Sequence, residues 1–148
     1  MKYIRAKQGY ILRIYKGEQL METLQRFVEA EKIRCAEFTG IGAVSTTTFG
    51  YYDLEYKKYE FTTMDKMMEV VSLRGNVALF EGKPMLHVHG AFGDTDLKMY
   101  GGHIKEATAG ITLEVFMTTY DLEVHRLYDE EIGLNLLELP CQFDMRHD

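Results

Sequence analysis

Leu20, Met21, Leu24, Phe27 and Val28 recur three or four residues apart, while Glu22, Arg26 and Glu29 fall on the other side. That spacing predicts an amphipathic helix over 18–31 whose apolar stripe faces the core. Gly17 precedes it, a permissive but weak start. Most of the remaining chain has extended character. Short runs rich in β-branched and aromatic residues predict strands over 10–15, 35–39, 44–52, 54–61, 68–73, 77–80, 85–92, 97–100, 111–118 and 122–127. A final segment over 134–139 is placed at a sheet edge. Gly40-Ile41-Gly42 is expected as a loop and Gly75-Asn76 as a bend. One good helix among many short strands argues for an α+β fold with a mainly antiparallel β-sheet, in a single domain over 1–148.

The length supports that picture. A chain of 148 residues buries roughly two-thirds of its unfolded surface, enough to fold without a disulfide or a metal staple. Cys35 and Cys141 form no CxxC pair and are expected as two separate thiols. No apolar stretch follows Met1 and no run reaches the ~20 residues of a membrane span, so a cytoplasmic location is expected. The formal net charge of −6 counts against nucleic acid as the main partner, because such proteins rely on cations that neutralise phosphates.

The chemistry is concentrated between Met85 and His103. In a strand, residues i and i+2 share a face, so His87 and His89 stand side by side with Val88 turned away. Gly93-Asp94-Thr95-Asp96 is a turn by composition. A hairpin centred near Thr95 places His103 opposite His87, on the same face. Three neutral imidazoles gathered in this way suit zinc or a similar divalent transition metal, with a fourth position left open to a small molecule. Such an ion brings the pKa of its water to near ~7 and acts as a Lewis acid. Glu114, on a following strand, is the candidate catalytic general acid or base, or the acceptor for an imidazole N–H. Asp94 and Asp96 are expected to serve the turn. A cupin site would need a carboxylate four or five residues after His89, where Gly93 and Asp94 stand.

Other chemistry finds no support. Ser45 and Ser72 are the only serines and neither lies in Gly-X-Ser-X-Gly. Thr39-Gly40-Ile41-Gly42 lacks the last glycine and the following helix of a dinucleotide fingerprint. His125 and His147 have no recognisable partners.

Four segments together resemble, in order and spacing, the plant and prokaryote conserved (PPC) domain. They are residues 35–45, Glu69-Val70-Val71-Ser72-Leu73-Arg74-Gly75, His87-Val88-His89 and Gly101-Gly102-His103. The upstream Gly17-Glu18 with its helix, and Ile111-Thr112-Leu113-Glu114-Val115, fit the same pattern, so the resemblance covers nearly the whole chain. It implies a largely antiparallel sheet with one main helix, a homotrimer, and a metal on the histidines that match His87, His89 and His103. In plants the domain accompanies AT-hook DNA-binding motifs, and its stand-alone prokaryotic forms are often labelled DNA-binding for that reason. This sequence has no Arg-Gly-Arg-Pro core, and it carries Met67-Met68 where plant members have Arg-Phe. DNA binding and plant-type partner contacts therefore do not transfer to it directly.

Overall fold

The structure, a computed structural model, describes residues 1–140; Cys141 and His147 lie outside them. Eight strands and one helix follow in the order β1 (Lys2–Ala6), β2 (Gly9–Tyr15), α1 (Leu20–Ala30), β3 (Ala36–Asp53), β4 (Lys58–Phe80), β5 (Lys83–Gly93), β6 (Met99–Thr119), β7 (His125–Asp129) and β8 (Leu134–Glu138). The fold is α+β, with all but one of the strand pairings antiparallel.

Strands β3, β4, β5 and β6 close a circuit. β3 pairs with β4, β4 with β5, β5 with the start of β6, and the rest of β6 with β3. Such closure leaves these long strands few free edges. Inside lie Phe38, Val44, Phe49, Leu73, Val77, Val88, Phe92, Ile104 and Leu113, all buried. β1 and β2 extend the sheet from β6, and β7 and β8 extend it from β4.

The helix lies where its spacing predicts, with Leu20, Leu24, Phe27 and Val28 buried. Its start is capped by tertiary contacts. Gln19 occupies the N-cap without a side-chain cap of its own, and the Glu106 carboxylate on β6 accepts the Met21 N–H at 2.9 Å. This satisfies one of the amide groups left free at any helix start.

Several expected breaks are absent because the long strands run through them. Gly40-Ile41-Gly42 is not a loop: it lies within β3, where the register shifts by a bulge. Gly75-Asn76 is not a bend but part of β4. Gly75 is required there because a Cβ would sit 2.3 Å from Cζ of Phe38, directly across on β3. The strand expected over 54–61 starts only at Lys58, after a turn. The segments expected over 97–100 and 111–118 are the two ends of one strand, β6. β7 begins at His125, three residues later than predicted, and β8 pairs with it at the sheet edge. Strand β1 has no counterpart among the sequence-based elements.

Among the described residues, no helix is long and apolar enough to cross a membrane.

Candidate metal centre

Leu86 and Val88 point into the core, so His87 and His89 project from the outer face of β5. The turn that follows is fixed by Asp94. One carboxylate oxygen accepts the Asp96 and Lys98 N–H groups at 3.0 and 2.9 Å, and the other takes the Lys66 ammonium at 2.7 Å. The Lys66 contact, followed by the backbone donors, holds the Asp94 carboxyl down at about 2. Asp94 thus acts in the turn, as its sequence context implies.

That turn sets the register. Gly93 pairs with Met99, and His103 stands opposite His89 rather than opposite His87. The hairpin is centred on Asp96, one position later than expected, so each partner moves by two residues. A shift of two leaves the facing of every side chain unchanged, and His103 still joins the other two. β6 can pass between β5 and β3 here because Gly102 adopts φ +151, where a Cβ would lie 2.9 Å from the Gly50 carbonyl oxygen.

His87, His89 and His103 each offer a ring nitrogen, and these atoms lie within 4.8 Å of one another. Ring centroids are 5.0 to 5.6 Å apart. His87 and His103 are half-buried and His89 is exposed. His103 leans on Tyr59, centroid to centroid 4.6 Å. Its buried Nδ1 has no hydrogen-bond partner among the described residues, an orphan that a metal or a ligand would satisfy.

Burial lowers the His87 pKa to about 4, helped by the Arg126 charge and then by the other two imidazoles. Burial, then His89, also lowers that of His103. Both rings are therefore neutral at physiological pH, the form that ligates a metal. The donor set fits a divalent transition metal. Zinc takes imidazole nitrogen at about 2.0–2.1 Å. A set with no carboxylate disfavours magnesium and calcium.

These shifts give a pH prediction for the metal-free protein. The unfolded chain takes up a proton on His87 near pH 6.5 and the folded chain only near 4. The unfolded state therefore binds more protons in that window, and stability falls as pH drops through it. Thermal melts in the presence of a chelator should show Tm decreasing from pH 7 to 5, with a shallower decrease in a His87→Leu variant. A flat profile in the unsubstituted protein would contradict the assignment of a buried, neutral His87.

Glu114 is not brought to this group within the chain. It lies exposed on β6, opposite Arg13 on β2 and Ile41 on β3. It lines a separate hollow with Met1, Lys2, Tyr3, Ile4, Ile11 and Leu12. β3 and β4 stand between its part of β6 and β5, so it is too remote to orient an imidazole of the same chain.

Two residues that the sequence did not single out do border the histidines. A hollow of about 290 Å³ opens on His87 and His103, and Tyr59 and Arg126 are among its walls. The hairpin of β7 and β8 covers it. That hairpin is held down by Tyr52, which donates to the Ile132 carbonyl at 2.6 Å, and by Lys57, which donates to that of Glu130 at 2.6 Å. Nothing in the local sequence around Arg126 marks it, because its proximity depends on β7 pairing in parallel with β4 at Leu79 and His125.

Fold and site together define a class: a small α+β protein with three imidazoles converging on one outer face and a hollow beside them. The chain belongs to the Plants and Prokaryotes Conserved (PCC) domain family, whose model matches residues 1–121. Among solved structures it is similar to a protein from Ralstonia eutropha described as a candidate DNA-binding protein. The two are 34% identical over 94% of this chain and 96% of that one, with a TM-score of 0.88. A metal-containing protein from Archaeoglobus fulgidus is 34% identical over 94% of this chain and all of that one, with a TM-score of 0.83. A plant- and prokaryote-conserved protein from Pyrococcus horikoshii is 28% identical over 95% and 96%, with a TM-score of 0.84. No curated protein matches the chain.

Proposed function

We propose that this protein holds one divalent transition metal, zinc first, on His87, His89 and His103, with a coordination position open to a small molecule. The observation that carries this reading is the convergence of three imidazoles, two of them kept neutral by burial, with the buried Nδ1 of His103 unpartnered among the described residues. The metal-containing relative from Archaeoglobus fulgidus supports it. Zinc with three imidazoles and an open position supplies Lewis acidity to an oxygen of a bound ligand. The chain's own residues shape the approach: Tyr59 backs His103, and the β7–β8 hairpin lines the hollow that opens on His87 and His103.

We further propose assembly as a homotrimer. Ile4, Ile11 and Phe116 form a cross-strand row on the outer face of β1, β2 and β6, and they are 64%, 36% and 52% exposed. Ile41, Val71 and Ile111 are also exposed. An apolar surface of this kind marks a contact between proteins. Elemental analysis of protein purified without chelators, on a sample whose mass is set by light scattering, tests both parts. We expect about one metal per chain and a mass of three chains. Metal-free protein that takes up no zinc on addition would remove the first part, and a monomer mass at micromolar concentration the second.

The relatives described as DNA-binding raise a second reading. The net charge of −6 is carried three times over in a trimer, and it slows encounter with a polyanion. We expect duplex DNA to bind with Kd weaker than ~10⁻⁵ M near ~150 mM salt, within the non-specific range. Fluorescence anisotropy with a labelled duplex is the check, and sub-micromolar, sequence-dependent binding would put the DNA reading first.

A further inference from the structure

Among the described residues, Arg126 is a buried cation without a counter-charge. It is 6% exposed, and among the described residues it forms no ion pair. One terminal nitrogen donates to the Asn135 carbonyl at 2.8 Å and the other to Asn76 Oδ1 at 2.7 Å. Both acceptors are neutral. Its Nε–H is buried and has no partner among the described residues. A buried guanidinium held only by neutral acceptors is destabilising, because the charge has lost its water and gained no anion. Such an arrangement persists where an anion arrives from outside.

The place where it would arrive is the hollow beside the histidines. Arg126, His87 and His103 all line it. Leu86, Leu134, Leu136, Tyr59 and Tyr128 form apolar and aromatic walls. The volume of about 290 Å³ is at the small end for a ligand site. Arg126 and Asn135 also lie on β7 and β8, beyond the residues 1–121 that the family model matches.

We infer that the hollow is a carboxylate-binding site: Arg126 receives the carboxylate of a small organic acid and directs the rest of that molecule toward the open position of the histidine centre. The planar fork of a guanidinium matches a carboxylate in a bidentate way. A single arginine suits one negative charge, and the apolar walls suit a short carbon skeleton. An oxygen substituent near the carboxylate, carbonyl or hydroxyl, is the part a Lewis-acidic metal would take. The ligand class is therefore small oxygen-substituted carboxylic acids. This inference rests on the metal reading for its second contact only, since the arginine contact belongs to the chain alone.

The test is titration of full-length protein with pyruvate, acetate and the neutral acetamide, followed by calorimetry and thermal shift. It is done on zinc-loaded protein of measured metal content and on chelator-treated protein. Unsubstituted protein should bind pyruvate and acetate but not acetamide, and zinc should tighten pyruvate more than acetate. Arg126→Met should keep its metal content and weaken pyruvate at least about tenfold, the usual scale for a charge-assisted pair. Its Tm without ligand should be unchanged or higher, because the unpaired buried charge is gone; a merely structural arginine would instead give a lower Tm. Arg126→Lys, which keeps the charge without the fork, should fall between the two. Equal pyruvate affinity in Arg126→Met, or no carboxylate binding by either form of the unsubstituted protein, would overturn the inference. Carboxylate binding by protein that takes up no zinc would instead uphold it and remove the metal reading alone.

Discussion

His87→Ala should leave the protein folded and without its metal. His87 is half-buried on the outer face of β5, so removing the ring opens no cavity in the core. What remains is His89 and His103, paired directly across β5 and β6, and two imidazoles are a poor site for a zinc ion in competition with water. Loss of residues that merely orient ligands weakens metal binding roughly 10–100-fold, so loss of a ligand should exceed that range. Elemental analysis should find little metal in the purified variant, and competition with a chromophoric chelator should give an affinity lower by more than about a hundredfold. A metal-free sample should still melt cooperatively near the Tm of the unsubstituted metal-free protein. Full metal occupancy in His87→Ala would sink the three-histidine assignment.

Phe92→Ala should have the largest effect on stability. Phe92 is fully buried beneath the hairpin that carries the histidines, with its ring 5.4 Å from that of Phe49. It lies close beneath Gly90, where an added Cβ would come within 2.7 Å of Phe92 Cε1. Removing such a side chain from a closed core costs about 3–5 kcal/mol, through lost transfer free energy and a residual cavity. For a domain of this size that is on the order of a 10 °C fall in Tm. Because β5 rests on this ring, metal affinity should weaken as well. Phe92→Leu fills most of the space and should recover most of both. A Tm change below about 2 °C in Phe92→Ala would show that the closed β3–β6 circuit does not depend on this contact.

The fold class, the helix and the grouping of His87, His89 and His103 on one face were readable from residue spacing alone. The helix was legible because its apolar spacing is local and strict. The His87–His89 pair was legible because alternation along a strand needs no tertiary knowledge. His103 was legible because its facing survives any register shift by an even number of residues. The centring of the hairpin on Asp96 was not readable in this way, since the cage that Lys66 and the backbone build around Asp94 forms only when β4 lies alongside. Nor was the placement of Gly40-Ile41-Gly42 and Gly75 within strands. A glycine that admits a neighbouring ring, as Gly75 admits Phe38, looks in sequence like one that turns the chain. The surroundings of the site were likewise out of reach. Glu114 shares β6 with His103 but, eleven residues on, faces a different hollow. Arg126 comes from a hairpin more than twenty residues beyond His103 in sequence. Spacing along one strand pair fixes which ligands can meet, whereas the residues that surround them depend on how distant strands close the sheet.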